Sequence, residues 1–406
     1  MRHRSEPGVL FAVFIAATGS GIIMLVVLMM GPLIVDMSET LDVSTALIGQ
    51  LNTVTALTWF VVGVLAGPLS DIYGRKPLLL LGVGGMVLGT LGTGLAWDYP
   101  SALAFRGLTG LAGIGPPIFS AFLSDHVPAH QRGRALGAMG VGAGVAGILG
   151  VPLVTVISSV QDWRWAFFAV ALMGVAVWLF LMWALPPSGM KARVSLRSLH
   201  VVSRYIPLIR ISLIRDLILV SISSRSLNTL FLTYFASFLI TQHGFTTAET
   251  ALPMALVGAA MMFGGMLAGV LSDTRYRMTM MPIALALTGG MGIVVFVLDL
   301  HPLWALVAGL SFVLVSHLPF VGMVAFLSKV TGPKMRGTAM SLPSFGSQMG
   351  SALGPAVGGV ALGLGGYTAV GYACLGLGTA GVLVGIFRLR EHHLRTAVDH
   401  LAEMEV

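Results

Sequence analysis

With one cysteine in 406 residues, the chain has no partner for an intramolecular disulfide, and the apolar neighbours of Cys374 make it a packing residue rather than a reactive thiol. Charge is scarce too. Asp, Glu, Lys and Arg make up 10% of the residues against 56% hydrophobic, and mean hydropathy is +0.91. That is too little polar surface to coat a soluble globule of this length. No CxxC pair, HExxH, Walker loop or GxSxG elbow occurs, and the His residues are scattered. Hydrolytic and metal chemistry therefore have no apparatus, so the expectation is a protein that is not an enzyme, with no metal and no cofactor. The net charge of +7 is not gathered on a soluble domain, which argues against nucleic acid as a partner.

What the chain has instead is long apolar runs. A helix needs about 20 apolar residues to cross a bilayer, and twelve such stretches follow one another, among them 9–35, 45–70, 101–123, 134–158, 216–241, 302–328, 337–362 and 367–388. Arg2 and Arg4 precede the first, which is too long for a signal-peptide core and reads as a retained span. One long joint, 187–215, is basic and divides six spans from six. The expected domains are a six-helix bundle at 1–186, a cytoplasmic linker at 187–215, a second bundle at 216–388 and a cytoplasmic tail at 389–406. Every Lys and Arg other than Arg164, Arg106 and Arg225 falls on one side of the spans. Positive residues stay inside, so both termini and the linker are placed in the cytoplasm, and the protein in the cytoplasmic (inner) membrane.

The two halves repeat each other. GPLSDIYGRKP at 67–77 returns in weaker form as GVLSDTRYR at 269–277, matching Asp71 with Asp273, and QRGRALG at 131–137 returns as MRGTAMS at 335–341, matching Arg132 with Arg336. Two segments with nearly the same offset indicate a duplicated module. Such repeats are a usual build of secondary transporters.

A six-plus-six chain whose second and third spans are joined by GPLSDIYGRKP resembles the major facilitator superfamily over essentially its full length. Gly67, Asp71, Gly74, Arg75 and Lys76 are in register with that family's signature hairpin. By physics alone, Asp71 can accept hydrogen bonds from a helix N-terminus or pair with Arg75, Gly74 allows a very short turn, and Gly67 allows close helix approach. The resemblance implies that this cluster latches a cytoplasmic gate against span 11 of the other half. SDHVPAHQRGRALG resembles the family's joint between spans 4 and 5, which implies that Asp125 and Arg132 share the gate. Topology alone explains Arg75 and Lys76 otherwise, and ordinary loop solvation explains Asp125.

LAFRGLTGLAG resembles the span 4 motif of proton-coupled members, with Thr109 where Gln is usual. Its Arg106 should face the interior, to lower the pKa of a carboxyl or hold an anion, unless it snorkels to the nearby outer surface. Further coupling candidates are Asp36, at the outer end of span 1, and His317 in span 10, which serves proton exchange or stays a neutral hydrogen-bonding residue. In span 7 Arg225, Asn228 and Thr229, with Tyr234 further along, form a polar face, and with Asn52 and Trp59 of span 2 they are candidates to line a substrate cavity. The alternative is interhelical hydrogen bonding with no ligand. The drug-exporter pattern GxxxGPxxGG is broken in span 5 but intact as GSALGPAVGG at 350–359 in span 11.

The expectation is an all-α membrane protein of major facilitator fold, twelve helices in two pseudo-symmetric bundles. It is most like the twelve-span drug:proton antiporter branch, which implies efflux of a hydrophobic or amphipathic small molecule in exchange for protons. The partners are then that substrate, protons and the lipid bilayer, with the protein a monomer and the proton gradient its energy source. The alternatives are an uptake symporter or facilitator for a metabolite, and a lipid flippase-like protein or non-transporting sensor.

Overall fold

The computed structural model describes residues 8–128, 131–186, 212–272, 274, 277–330 and 336–388. The expected linker, apart from 212–215, the tail and Asp273 lie outside these residues. Among the described residues there is no β-strand. In the first half the first span is α1 (Val9–Leu28) with the start of α2 (Met30–Thr40), the second α3 (Thr45–Tyr73) and the third α4 (Arg75–Gly94). The fourth is α5 (Tyr99–Thr109) and α6 (Gly115–His126), the fifth α7 (Arg132–Val145) and α8 (Val151–Val160), and the sixth α9 (Trp163–Ala184). The second half holds α10 (Ser212–His243), α11 (Ala251–Ser272), α12 (Arg277–Phe296), α13 (Pro302–Ser316), α14 (Leu318–Val330) and α15 (Arg336–Arg388).

Among the described residues ten helical stretches are long and apolar enough to cross a membrane. The charged α10 adds one. The other comes from α15, whose two arms meet at non-helical Gly365 and Gly366 (φ 64°); glycine takes that backbone conformation at no steric cost. The twelve spans of the sequence are therefore present.

Local chemistry explains where the spans start and bend. Asp98 and Ser101 form a reciprocal capping box at the start of α5, Ser44 accepts from the Leu47 N–H, and Asp162 accepts from the Arg164 N–H. Such caps satisfy amide donors that a helix leaves unpaired. Regular helix is interrupted shortly before a proline in four spans: at Met29 before Pro32, at Gly110–Ile114 before Pro116, at Ala146–Gly150 before Pro152, and at His317 before Pro319. Proline lacks the N–H that would return to the carbonyl four residues earlier, so the helix loosens there.

By its internal contacts the chain forms two compact units, Met1–Leu196 with Leu239–Ala259, and Arg197–Phe238 with Ala260–Val406. In lipid the hydrophobic effect does not drive helix against helix, so close packing must hold each unit. Unit 2 shows how. Gly346, Gly350, Gly354 and Gly358 recur every four residues along α15, and a Cβ at each would strike α10: Ile218 carbonyl, Ile222 carbonyl, Ser226 carbonyl and the Tyr234 ring, in that order. Beside them Phe231 stacks on Phe235 and on Phe312 with ring centroids 4.5 Å apart in each pair. Outward faces are apolar, with Leu10, Leu172, Leu252 and Val270 exposed, and exposed Trp97, Trp165 and Trp304 stand near the starts of spans 4, 6 and 10. This is the distribution a bilayer selects.

Candidate functional site

The hairpin between spans 2 and 3 turns on one residue. α3 ends at Tyr73 and α4 begins at Arg75, with Gly74 between them at φ 87°, ψ 160°. A side chain there would be strained. Asp71 occupies the last turn of α3; its side chain and that of Arg132, at the start of α7, lie outside the description. Arg75 Nη1 meets Asp125 Oδ2 at 2.5 Å, which joins the hairpin to the end of span 4. Both side chains are partly exposed, 27% and 52%, which puts the pair at well under 1 kcal/mol. Gly67 departs from expectation. A Cβ at this position would meet no described atom within 4 Å, so close approach of helices is achieved by other glycines.

Lys76 went unread in the sequence beyond its charge. Its Nζ donates to the carbonyls of Met182 (2.6 Å) and Leu185 (2.7 Å), closing the C-terminus of α9. A cation suits the negative end of a helix dipole.

Arg106 does not snorkel. It is fully buried (0% exposed) and its Nη2 donates to Asn52 Oδ1 at 3.1 Å, while Nε and Nη1 find no partner among the described residues. The Arg106 carbonyl accepts from Thr55 Oγ1 at 2.9 Å, which locks spans 2 and 4 together around the guanidinium. Asn52, expected to line a cavity, is thus a partner of the coupling candidate. Trp59, also half-buried on α3, packs its backbone where a Cβ on Gly113 would sit.

Asp36 is likewise held, but from two other elements. Ser158 Oγ, at the end of α8, donates to its Oδ2 at 3.1 Å, and Thr247 Oγ1, just after α10, donates to Oδ1 at 2.9 Å and Oδ2 at 3.1 Å. All three residues belong to unit 1. Asp36 lies beyond the apolar stretch of span 1. Burial raises its carboxyl above the ordinary 3.8, against the two hydroxyl donors that lower it, and Glu39 and Asp162 add to the rise. Nothing in the sequence pairs these positions; a Ser and a Thr near span ends are common.

In unit 2 the span 7 candidates divide. Arg225 Nε donates to Ser351 Oγ at 3.0 Å, Asn228 Nδ2 to Ser316 Oγ at 2.9 Å, and Thr229 Oγ1 to the Arg225 carbonyl at 2.9 Å and the Gly350 carbonyl at 3.3 Å. His317 caps α13 next to Ser316, its Nδ1 2.9 Å from the Val313 carbonyl. Because a carbonyl only accepts, Nδ1 carries the hydrogen and Nε2 is the second functional atom. Tyr234 is a correction. It is 0% exposed, its hydroxyl donates to the Pro355 carbonyl at 2.9 Å, and its ring fills the space beside Gly358. The close approach of α15 makes it a core residue, not a cavity wall. Ser316 and Ser351 were missed; a serine within an apolar span, opposite a polar face, is the signal that finds them.

The family model described as Major Facilitator Superfamily matches residues 9–320. The chain belongs to this superfamily. An uncharacterised MFS-type transporter, Rv1250, of Mycobacterium tuberculosis is 32% identical over 150 residues, covering 36% of this chain and 26% of that protein. Multidrug resistance protein 3 of Bacillus subtilis is 30% identical over 154 residues, covering 35% of this chain and 30% of the relative. The matched stretch therefore spans less than a third of either relative. A solved D-xylose–proton symporter superposes with a TM-score of 0.75 at 17% identity, covering 94% of this chain and 97% of that one. At that identity the likeness is one of fold. The chain is a multi-pass membrane protein of the major facilitator superfamily.

Proposed function

We propose that this protein is a transporter that exports a hydrophobic or amphipathic small molecule by proton antiport, its two six-helix bundles, 1–186 and 216–388, giving alternating access to a site near the membrane midplane. The observation that carries the reading is Arg106, a guanidinium fully buried within a span with Asn52 as its one side-chain partner among the described residues. An ionisable group held in a membrane at such cost serves a pathway or a coupling step, and the span 4 motif around it resembles that of proton-coupled members. The similarity to a multidrug resistance protein supports export.

The same reading assigns the cytoplasmic gate to Gly67, Asp71, Gly74, Arg75, Asp125 and Arg132, with Asp273 as the structural echo of Asp71. A surface pair as weak as Arg75–Asp125 suits a contact that must break in every cycle. Asp36 and His317 remain the further coupling candidates. The protein works as a monomer in the cytoplasmic membrane with both termini inside, using protons and no cofactor.

The test is purified protein in liposomes, a substrate panel and an imposed pH gradient of either sign. Substrate movement against its gradient, reversed when the pH gradient is reversed and opposite to proton flow, is expected. Movement with the proton flow would establish symport instead, and movement indifferent to it a facilitator.

A further inference from the structure

Arg225 sits in the middle of a membrane span. It lies thirteen residues after Ser212, the start of α10, which is about 20 Å along the helix. An unneutralised guanidinium at that depth costs several kcal/mol, yet among the described residues no carboxylate pairs with it. Its one side-chain hydrogen bond is from Nε to Ser351. That bond fixes the guanidinium plane and leaves the Nη1 and Nη2 end, on a half-buried side chain, without a described acceptor. One turn along the same face, Asn228 is 3% exposed and its Oδ1 has no partner, its amide nitrogen being spent on Ser316. His317 follows Ser316 and lies near enough to Arg225 for their charges to interact. Its Nδ1 is engaged at Val313, so Nε2 is available.

The open end of Arg225 has one chemical need. A fork of two N–H donors wants an oxyanion, and bidentate geometry is what arginine does that lysine does not. A buried amide oxygen one turn away wants a donor, which an ionised carboxylate does not carry, so Asn228 Oδ1 is left for an N–H or O–H elsewhere on the ligand. We infer that the polar cluster of Arg225, Asn228, Ser316, His317 and Ser351 in unit 2 is a binding site for the acidic group of the cargo, and that the cargo is an organic acid: a carboxylate on an apolar body. The inference rests on the reading of the chain as a carrier of amphipathic small molecules. It deepens that reading by giving the polar end of the cargo a sign. Ser351 orients the fork, and Arg225 neutralises the acid within the membrane, where neither charge is stable alone.

The experiment is thermal unfolding of the detergent-purified full chain with benzoate, 2-naphthoate or decanoate, each set against its primary amide, and with phosphatidylglycerol as the control for a lipid headgroup. The expected result is a rise in Tm with at least one acid, increasing with its apolar size, and none with the matching amide. Arg225→Gln should weaken acid binding at least about tenfold, the scale of a lost hydrogen bond to a charged group. Arg225→Lys should retain part of it, because the charge survives without the fork, and Ser351→Ala should weaken it less than Arg225→Gln.

Equal shifts by acid and amide, no shift with any acid, or an unchanged affinity in Arg225→Gln would overturn the assignment. So would a shift by phosphatidylglycerol that the acids fail to compete away. The readout needs neither export nor a proton gradient. Selective acid binding in a protein without proton-driven efflux keeps this site and removes the antiport reading. Proton-driven efflux with no preference for acid over amide removes this site alone.

Discussion

Thr247 Oγ1 donates to both carboxylate oxygens of Asp36, at 2.9 and 3.1 Å, across 211 positions of sequence. With Ser158 on the other side, this carboxylate ties the end of span 1 to the end of span 5 and to the joint before span 8.

The contact should respond to pH. An acid whose folded pKa is raised contributes most stability below its ordinary value, here 3.8, and loses that contribution as pH rises through the higher folded value. Acidification from neutrality should therefore raise Tm through this group. Asp36→Asn should flatten the dependence, with Glu39, Asp162 and Arg164 left in place. Tm measured across pH 4 to 7 in both proteins checks this, and parallel curves would remove Asp36 as the cause.

Asp71→Asn should impair transport while the protein still inserts and keeps its Tm, because a gate contact is made in one state of the cycle and not throughout. Turnover in liposomes alongside the yield of folded protein separates the two effects, and normal turnover would sink the gate assignment. Asp125→Asn, by contrast, should cost well under 1 kcal/mol of stability, the worth of an exposed pair.

Arg106→Ala should abolish the response of transport to a pH gradient. Asn52→Ala should weaken it less, since it removes one partner and leaves the charge. The measurement is substrate flux at imposed gradients of either sign. A gradient dependence unchanged in Arg106→Ala would take it out of the coupling step.

Tyr234→Phe should cost about 1 kcal/mol, the value of a buried hydrogen bond, and leave substrate preference untouched, because the ring faces α15 and not a cavity. Gly354→Val should do far more damage. Its side chain would press on the Ser226 carbonyl and Thr229 Oγ1, and overpacking of this kind costs typically 1–3 kcal/mol or more. Differential scanning fluorimetry of both variants orders them, and equal Tm values would contradict the packing account.

The fold was legible because it rests on runs of about 20 apolar residues and on a duplicated hairpin, both of which are patterns along the chain. The one-residue turn at Gly74 followed from glycine itself, and the Arg75–Asp125 pair from charges in a matched motif. The site was less legible because hydrogen bonds between spans leave no local trace. Arg106 and Asn52 belong to different helices, as do Asn228 and Ser316, and nothing in either neighbourhood names the other. Tyr234 was misread for a related reason. Its polar tip suggested a cavity, while the feature that decides its place, the four-residue glycine period of α15, lies more than a hundred residues later.

Lys76 carries a double duty. Its charge belongs to the set of Lys and Arg that the sequence gathers on one side of the spans, a bias that orients membrane proteins during insertion, and in the finished fold its ammonium closes the end of α9. A neutral replacement would thus be felt twice, first by the insertion machinery as a lost address and then by the sixth span as a frayed end. The two injuries arise at different moments in the life of the molecule. A methionine there would fill the volume yet lose both the charge and the two hydrogen bonds, so a compensating charge in a neighbouring loop would restore orientation without restoring the cap.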